Sequence, residues 1–239
     1  LSGPEVQLQD GPAGATGLNY GLQITVNNVT VRGMAITGFG DSGNTASDGQ
    51  GNIYVNNTTS GVVINQNAIG ITARSMSNPG ALITYGDNIR IGGNSGGDGG
   101  TISQNIIAYS GGNGIGFDLD NNTDNWTIEY NEIRGNGISN TAREGIELDQ
   151  NGSGAPNTIR YNLIASNNGT GINLASNGAD SNLITQNTIT GNGGATLGGI
   201  LIQDGDNNTL SLNIITANGN AGGVVEQGAT GNRITQNST

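Results

Sequence analysis

Short apolar and polar residues alternate along the second half of the chain in segments that resemble one another. "TIEYNEIRGNG" (127–137), "TIRYNLIASNN" (158–168), "LITQNTITGNG" (183–193) and "TLSLNIITANG" (209–219) align without gaps. "TISQNIIAYSG" (101–111), "VVINQNAIG" (62–70) and "RITQNST" (233–239) fit the same frame in part. A period of two over four residues predicts a half-buried strand. Each pair of strands is interrupted by a shared asparagine, at Asn67, Asn105, Asn131, Asn162, Asn187, Asn213 and Asn237. From Asn105 onward the intervals are 26, 31, 25, 26 and 24 residues.

A second element recurs between these segments: "GFDLD" (116–120), "GIELD" (145–149), "GINLA" (171–175), "GILIQ" (199–203) and "GVVEQ" (223–227). Each period therefore holds two or three strands of about four residues, separated by Gly and Asn turns. No stretch carries a sustained i, i+3, i+4 apolar stripe, so no long helix is expected. A period of about 25 residues is too short for a propeller blade, and the leucine-rich consensus is missing. The pattern predicts an all-β chain wound into a parallel β-helix of about 8–9 coils, a rod on the order of 40 Å long at about 4.8 Å per strand. Stacking places Ile128, Ile159, Ile184 and Leu210 in one core column, and Ile133, Ile164, Ile189 and Ile215 in another. It also gives the asparagines a purpose. At a bend between sheets, Asn tolerates the left-handed conformation, and its amide can bond to the same Asn one coil on. Asn187 and Asn192 then form one rung, with partners at 162/167 and 213/218.

The 239 residues read as one β-helix domain. It comprises an opening segment (1–19), irregular coils with long loops (20–100) and regular coils (101–239), and is expected to belong to a longer polypeptide. The formal charge is −11, from 18 acids against seven bases, all of them Arg. An acidic surface without clustered bases argues against nucleic acid and against an anionic membrane surface. There is no Cys, hence no disulfide framework or thiolate metal site. No run of about 18 apolar residues predicts a membrane-spanning helix.

The "N-x-I-x-x-N-G … G-I-x-L" frame resembles that of right-handed parallel β-helix repeat proteins of the pectin-lyase-like superfold, over residues 20 to 239. The stretch "LQITVNNVTVRGMAITGFG" (22–40) resembles the first coil of large bacterial secreted β-helix proteins. The resemblance implies an extracellular or cell-surface bacterial location. For function it is permissive, since the superfold hosts lyases, hydrolases, adhesins and structural modules.

Chemistry is expected where coils depart from the period, at 40–51, 71–81, 92–100 and, more modestly, 138–144. The acidic coils at 116–152 are the second candidate. With Gly116 aligned on Gly145, Asp118 lies over Glu147 and Asp120 over Asp149, and such close carboxylates raise a pKa or recruit a cation. Three readings stay open. The acids form a solvated patch relieved by Arg134, Arg143 or Arg160; or Asp118, Asp120, Asn122 and Asp124 alternate as oxygen ligands for Ca2+; or Asp118, Asp124, Glu147 and Asp149 supply the catalytic carboxylates of a glycosidase. "NTD" at 122–124 resembles the first catalytic motif of polygalacturonase-type hydrolases, but their partner motifs contain His and Lys, which this chain lacks entirely. Resemblance to calcium-dependent pectate and alginate lyases leaves only an arginine-based version, on Arg134, Arg143 or Arg160. Glu129 and Arg160 are expected to pair across coils, and Tyr130 and Tyr161 to stack.

The expectation is therefore a non-enzymatic structural or adhesive module of a bacterial surface or secreted protein. Its expected partners are a polysaccharide or cell-surface glycan, or further copies joined end to end through open sheet edges. A polysaccharide hydrolase or lyase using the carboxylates is the alternative.

Overall fold

A computed structural model describes residues 6–10, 18–40, 51–56, 59–71, 86–92, 99–117, 123–138, 143–149, 155–175, 179–193, 198–219 and 222–238. These residues form three parallel sheets of eight strands each and no helix. The chain visits the first, second and third sheet in turn and then climbs one level. In one such coil the strands are Glu132–Arg134, Ile146–Leu148 and Thr158–Arg160, after which Leu163–Ala165 returns to the first sheet. The chain is thus a parallel β-solenoid, as its period predicts.

Both expected core columns are present. In the third sheet Ile128, Ile159, Ile184 and Leu210 stand in register; in the first, Ile133, Ile164, Ile189 and Ile215 do. The second sheet adds Ile115, Ile146, Ile172 and Ile200. All twelve are buried in one continuous cluster. Full burial of an aliphatic side chain contributes about 1.5–3 kcal/mol, which offsets the roughly 1–2 kcal/mol of backbone entropy lost per ordered residue. Where the core widens it is filled by Trp126, edge-on to Phe117 with ring centroids 6.3 Å apart. The strand below makes room: a Cβ on Gly100 would lie 2.6 Å from the indole.

Asparagine ladders run along all three bends. The expected one is hydrogen-bonded from Asn67 to Asn237, each side-chain Oδ1 accepting from the backbone N–H and Nδ2 of the previous Asn at 2.9–3.1 Å. The second, Asn136–Asn167–Asn192–Asn218, repeats this geometry. At its lower end Ser110 takes the Asn position, and Asn88 reaches in to bond Asn136 at 2.9 Å. The third ladder, Asn157–Asn182–Asn208–Asn232, precedes the third-sheet strands and was not anticipated.

One detail of the bend differs from expectation. The left-handed residue is not the ladder Asn but the one before it: Gln66, Gln104, Tyr130, Tyr161, Gln186, Leu212 and Gln236 all have φ between 55° and 57°. This single left-handed residue makes the corner, leaving the Asn free to turn its amide inward along the ladder. The recurrent Gly of the second element has a different cause. A Cβ on Gly145 would lie 2.6 Å from the Gly171 carbonyl and 2.8 Å from Asn167 Nδ2, and Gly114 and Gly171 are equally confined.

Candidate functional site

Connections from the third to the first sheet are two residues long through the regular coils, as between Glu129 and Glu132 or Arg160 and Leu163. The long and variable connections all join the first sheet to the second or the second to the third. They include those between Gln9 and Tyr20, Thr37 and Gly51, Ile69 and Asp87, Ile91 and Gly100, Phe117 and Trp126, Arg134 and Ile146, Leu148 and Thr158, Leu174 and Leu183, and Thr190 and Ile200. Of the irregular segments foreseen at 40–51, 71–81, 92–100 and 138–144, residues 41–50, 72–81, 93–98 and 139–142 lie outside the described residues; each pair of strands that these segments join includes one of the second sheet. The second sheet is thus the one that every variable connection enters or leaves.

Charged residues concentrate there. Arg90, Gly116, Glu147 and Asn173 follow one another in an outward column of consecutive strands. Three residues earlier in their coils stand Asp87, Asn113 and Glu144, linked by Asn88 N–H to the Asn113 carbonyl and by Gly114 N–H to the Glu144 carbonyl, both 3.0 Å. The two columns face the same space. Arg90 Nη1 binds Asp87 Oδ2 at 2.9 Å with both side chains nearly buried, and Asn113 Nδ2 donates to Glu147 Oε2 at 2.6 Å. Gly116 leaves the opening that Asp87 fills, since a Cβ there would lie 2.3 Å from Asp87 Oδ2.

Asn113 ties the three acids together. Its backbone N–H donates to Asp87 Oδ1 at 2.6 Å, its Oδ1 accepts from the Glu144 N–H at 2.8 Å, and its Nδ2 holds Glu147. Arg143 Nη1 lies 3.7 Å from Glu147 Oε2, a loose ion pair. Burial pushes the Glu144 carboxyl from 4.5 up to about 9, and the Glu147 charge adds to this while Arg143 opposes it. Burial likewise lifts Glu147 to about 7, helped by Asp87 and Asp149. Asp87 is also raised by burial, against the pull of Arg90. Neighbouring carboxyls with separated affinities for the proton can donate from one and accept at another near neutral pH.

The right-handed beta helix region, a family of this architecture, matches residues 97–239. The chain belongs to the right-handed β-helix family. Comparison with curated proteins finds no match.

In this right-handed β-helix the anticipated residues fare differently. Asp118, Asp120 and Asn122 lie outside the described residues, and with them the greater part of the foreseen calcium loop. Asp124 is buried just before the strand Trp126–Glu129. Among the described residues no group of three or more acidic side chains is arranged to hold a metal. Glu147 and Asp149 both belong to the cluster, Asp149 through its charge on Glu147. The expected register is corrected by two residues: Glu147 pairs with Gly116, not with Asp118. The glycine that must fit the bend is Gly114, whose Cβ would meet the Gly145 carbonyl at 2.6 Å, so Gly114-Ile115 stacks on Gly145-Ile146.

Of the three candidate arginines, Arg143 stands at the cluster. Arg134 pairs with Glu132 and the Tyr109 hydroxyl. Arg160 pairs with Glu129 at 2.8 Å across coils, as expected. Tyr130 and Tyr161 stack with centroids 4.9 Å apart and planes within 11°. Each ring covers a face of the other, so the pair is a packed ladder.

Asp87, Arg90, Asn113 and Glu144 are the β-helix residues that were not foreseen from the sequence. Their signal lies in "YGDNIRIGG" (85–93), a strand pattern carrying both an acid and a base, and in the residue before each Gly-Ile pair at 114–115 and 145–146.

Proposed function

We propose that the chain is a glycan-binding module of a bacterial surface or secreted protein, with the β-helix as rigid scaffold and the outer face of the second sheet as the binding surface. The observation that carries this reading is the Asp87–Asn113–Glu144–Glu147 cluster on the outer face of the sheet that every variable connection enters or leaves. Carboxyl and amide groups held by second partners are suited to recognising sugar hydroxyls. The first and third sheets are repetitive by comparison. A test is retention of the protein on a panel of immobilised polysaccharides, with Glu147→Gln and Arg143→Ala as surface variants. Specific retention by at least one polysaccharide, weakened by these variants, supports the reading; no retention on any polysaccharide refutes it.

A second reading is polysaccharide cleavage, favoured by the raised Glu144 and Glu147 carboxyls three residues apart in one coil, both joined to Asn113. It requires a protonated acid and an ionised partner at the same pH, which this pair supplies. Release of reducing or unsaturated ends from the retained polysaccharide, abolished in Glu147→Gln, decides for it over binding alone.

A further inference from the structure

The bend that joins the third sheet to the first is the corner that the second sheet does not share. Its left-handed residues are exposed and stand one above another along the rod. Counted by their third-sheet strands, Arg32 lies in the first coil, Glu129 in the fourth, Arg160 in the fifth and Ser211 in the seventh. Among the described residues, five of the ten exposed large apolar side chains line this corner: Tyr130, Tyr161, Leu163, Leu212 and Ile214. Exposed apolar residues gathered in a row, rather than scattered singly, mark an interaction surface. The corner also lacks the negative charge of the chain as a whole. Glu129 binds Arg160 at 2.8 Å and Glu132 binds Arg134, while Arg32 Nε donates to Gln66 Oε1 at 2.9 Å. In a chain of formal charge −11, it is a strip on which two copies meet without net repulsion.

We propose that two copies of the chain dock side by side along this corner, antiparallel, about a two-fold axis that crosses the rod between the fourth and fifth coils. The pattern along the corner is self-complementary about that axis. Glu129 of one copy faces Arg160 of the other, and Arg160 faces Glu129, so the two cross-coil pairs join into an alternating square of charges. Tyr130 faces Tyr161 in the same way and extends the stacked pair into a cluster of four rings. Outward from this centre Gln104 faces Gln186 and Gln66 faces Leu212, and no like charges meet. An axis along the rod would instead set Glu129 against Glu132 of the other copy, twice in each dimer, and like charges across an interface oppose docking. An isologous contact of this kind closes at two copies. Eight strands at about 4.8 Å, with a strand of about 10 Å on either side of the bend, give a strip of about 40 by 20 Å. That is near the roughly 800 Å2 per partner of a specific interface.

The experiment is sedimentation of the full chain over a wide range of concentration, for the wild type and for Tyr161→Gln. Gln already holds this bend position in four other coils, so the variant is expected to keep the fold, read by circular dichroism. The expected result is a reversible dimer, weakened tenfold or more by Tyr161→Gln. Arg160→Glu sets like charges face to face and is expected to weaken the dimer as much, and adding Glu129→Arg to it is expected to restore association. The chain has no Cys, so introduced cysteines report the orientation: Gln66→Cys and Leu212→Cys proteins are expected to cross-link to each other on oxidation and not to themselves. A monomer at every concentration overturns the proposal and leaves the corner to a different partner. A dimer unchanged by both Tyr161→Gln and Arg160→Glu also overturns it, because another surface then carries the contact. Self-linking of Gln66→Cys overturns the antiparallel arrangement.

Discussion

Replacing Asn162 by Ala tests how much of the fold depends on its amide ladders. The Asn162 side chain makes five hydrogen bonds. Nδ2 donates to the Ile128 and Arg160 carbonyls and to Asn187 Oδ1, at 2.9, 3.0 and 3.0 Å. Oδ1 accepts from the Asn131 N–H and Nδ2 at 2.9 and 3.0 Å. Some of these partners keep another bond: Asn131 Nδ2 still reaches Ile102, and Asn187 Oδ1 still accepts from the residue 162 N–H. The buried Asn131 N–H loses its acceptor. One such orphan at about 1–3 kcal/mol, plus a net of about 0.5–1.5 kcal/mol for each other bond lost, gives an expected destabilisation of about 3–5 kcal/mol after allowing for non-additivity. The assay is urea unfolding followed by circular dichroism, with hydrogen exchange at Asn131 N–H as the local probe, because a solenoid can open coil by coil. Asn162→Asp serves as the internal check. It keeps the shape and the acceptor but loses the donor, so it should destabilise at least as much as Ala at neutral pH and recover partly as acid protonates it. Gln186→Asn, at an exposed left-handed position, should change stability by less than about 0.5 kcal/mol. A cost below about 1 kcal/mol for Asn162→Ala, with unchanged exchange at Asn131, would refute the idea that the ladder stabilises the bend.

Gly145→Ala is expected to destabilise by about 2 kcal/mol or more, since its Cβ would press on the Gly171 carbonyl and Asn167 Nδ2. Thermal melting against Gly222→Ala, where the Cβ meets open space but φ is +79°, separates crowding from backbone strain. The pH dependence follows from the raised carboxyls. The folded state holds protons on Glu144 up to about 9 and on Glu147 up to about 7, whereas the unfolded chain releases them near 4.5. Folded molecules therefore bind more protons between these values, and stability falls as pH rises from about 5 to 9. Both carboxyls contribute to the fall between about 5 and 7 and Glu144 alone above 7, so the fall is steepest in the lower part of the range. Melting temperatures that rise over this range would contradict it, and Glu144→Gln should flatten the curve.

The scaffold was legible because each element has a narrow physical cause. Stacked Ile columns and a buried Asn at a fixed bend leave a repeating trace, and the Asn67–Asn237 ladder and the two core columns could be named residue by residue. The third ladder escaped because its asparagines follow connections of variable length, among many other Asn residues. The register of the acidic coil was ambiguous in sequence because Gly114-Ile115 and Gly116-Phe117 fit the same pattern, and only the Gly145 carbonyl in the next coil chooses between them. The site was half legible for a related reason. Glu147 and Asp149 were visible as acids in a regular coil, but Asn113 meets Glu147 across 34 residues of chain, and Asp87 comes from one coil earlier still. The separation that hides such a cluster in the sequence is what a solenoid removes by stacking.

Binding on the outer face of the second sheet is tested most directly by hydrogen exchange of the full chain with and without a polysaccharide that it retains. The expected protection is confined to the second sheet and its flanking turns, centred on Asn113, Gly116, Glu147 and Asn173, and is lost in Glu147→Gln. Protection centred instead on Tyr130, Arg160 and Tyr161 at the third-to-first bend, unaffected by Glu147→Gln, would contradict it.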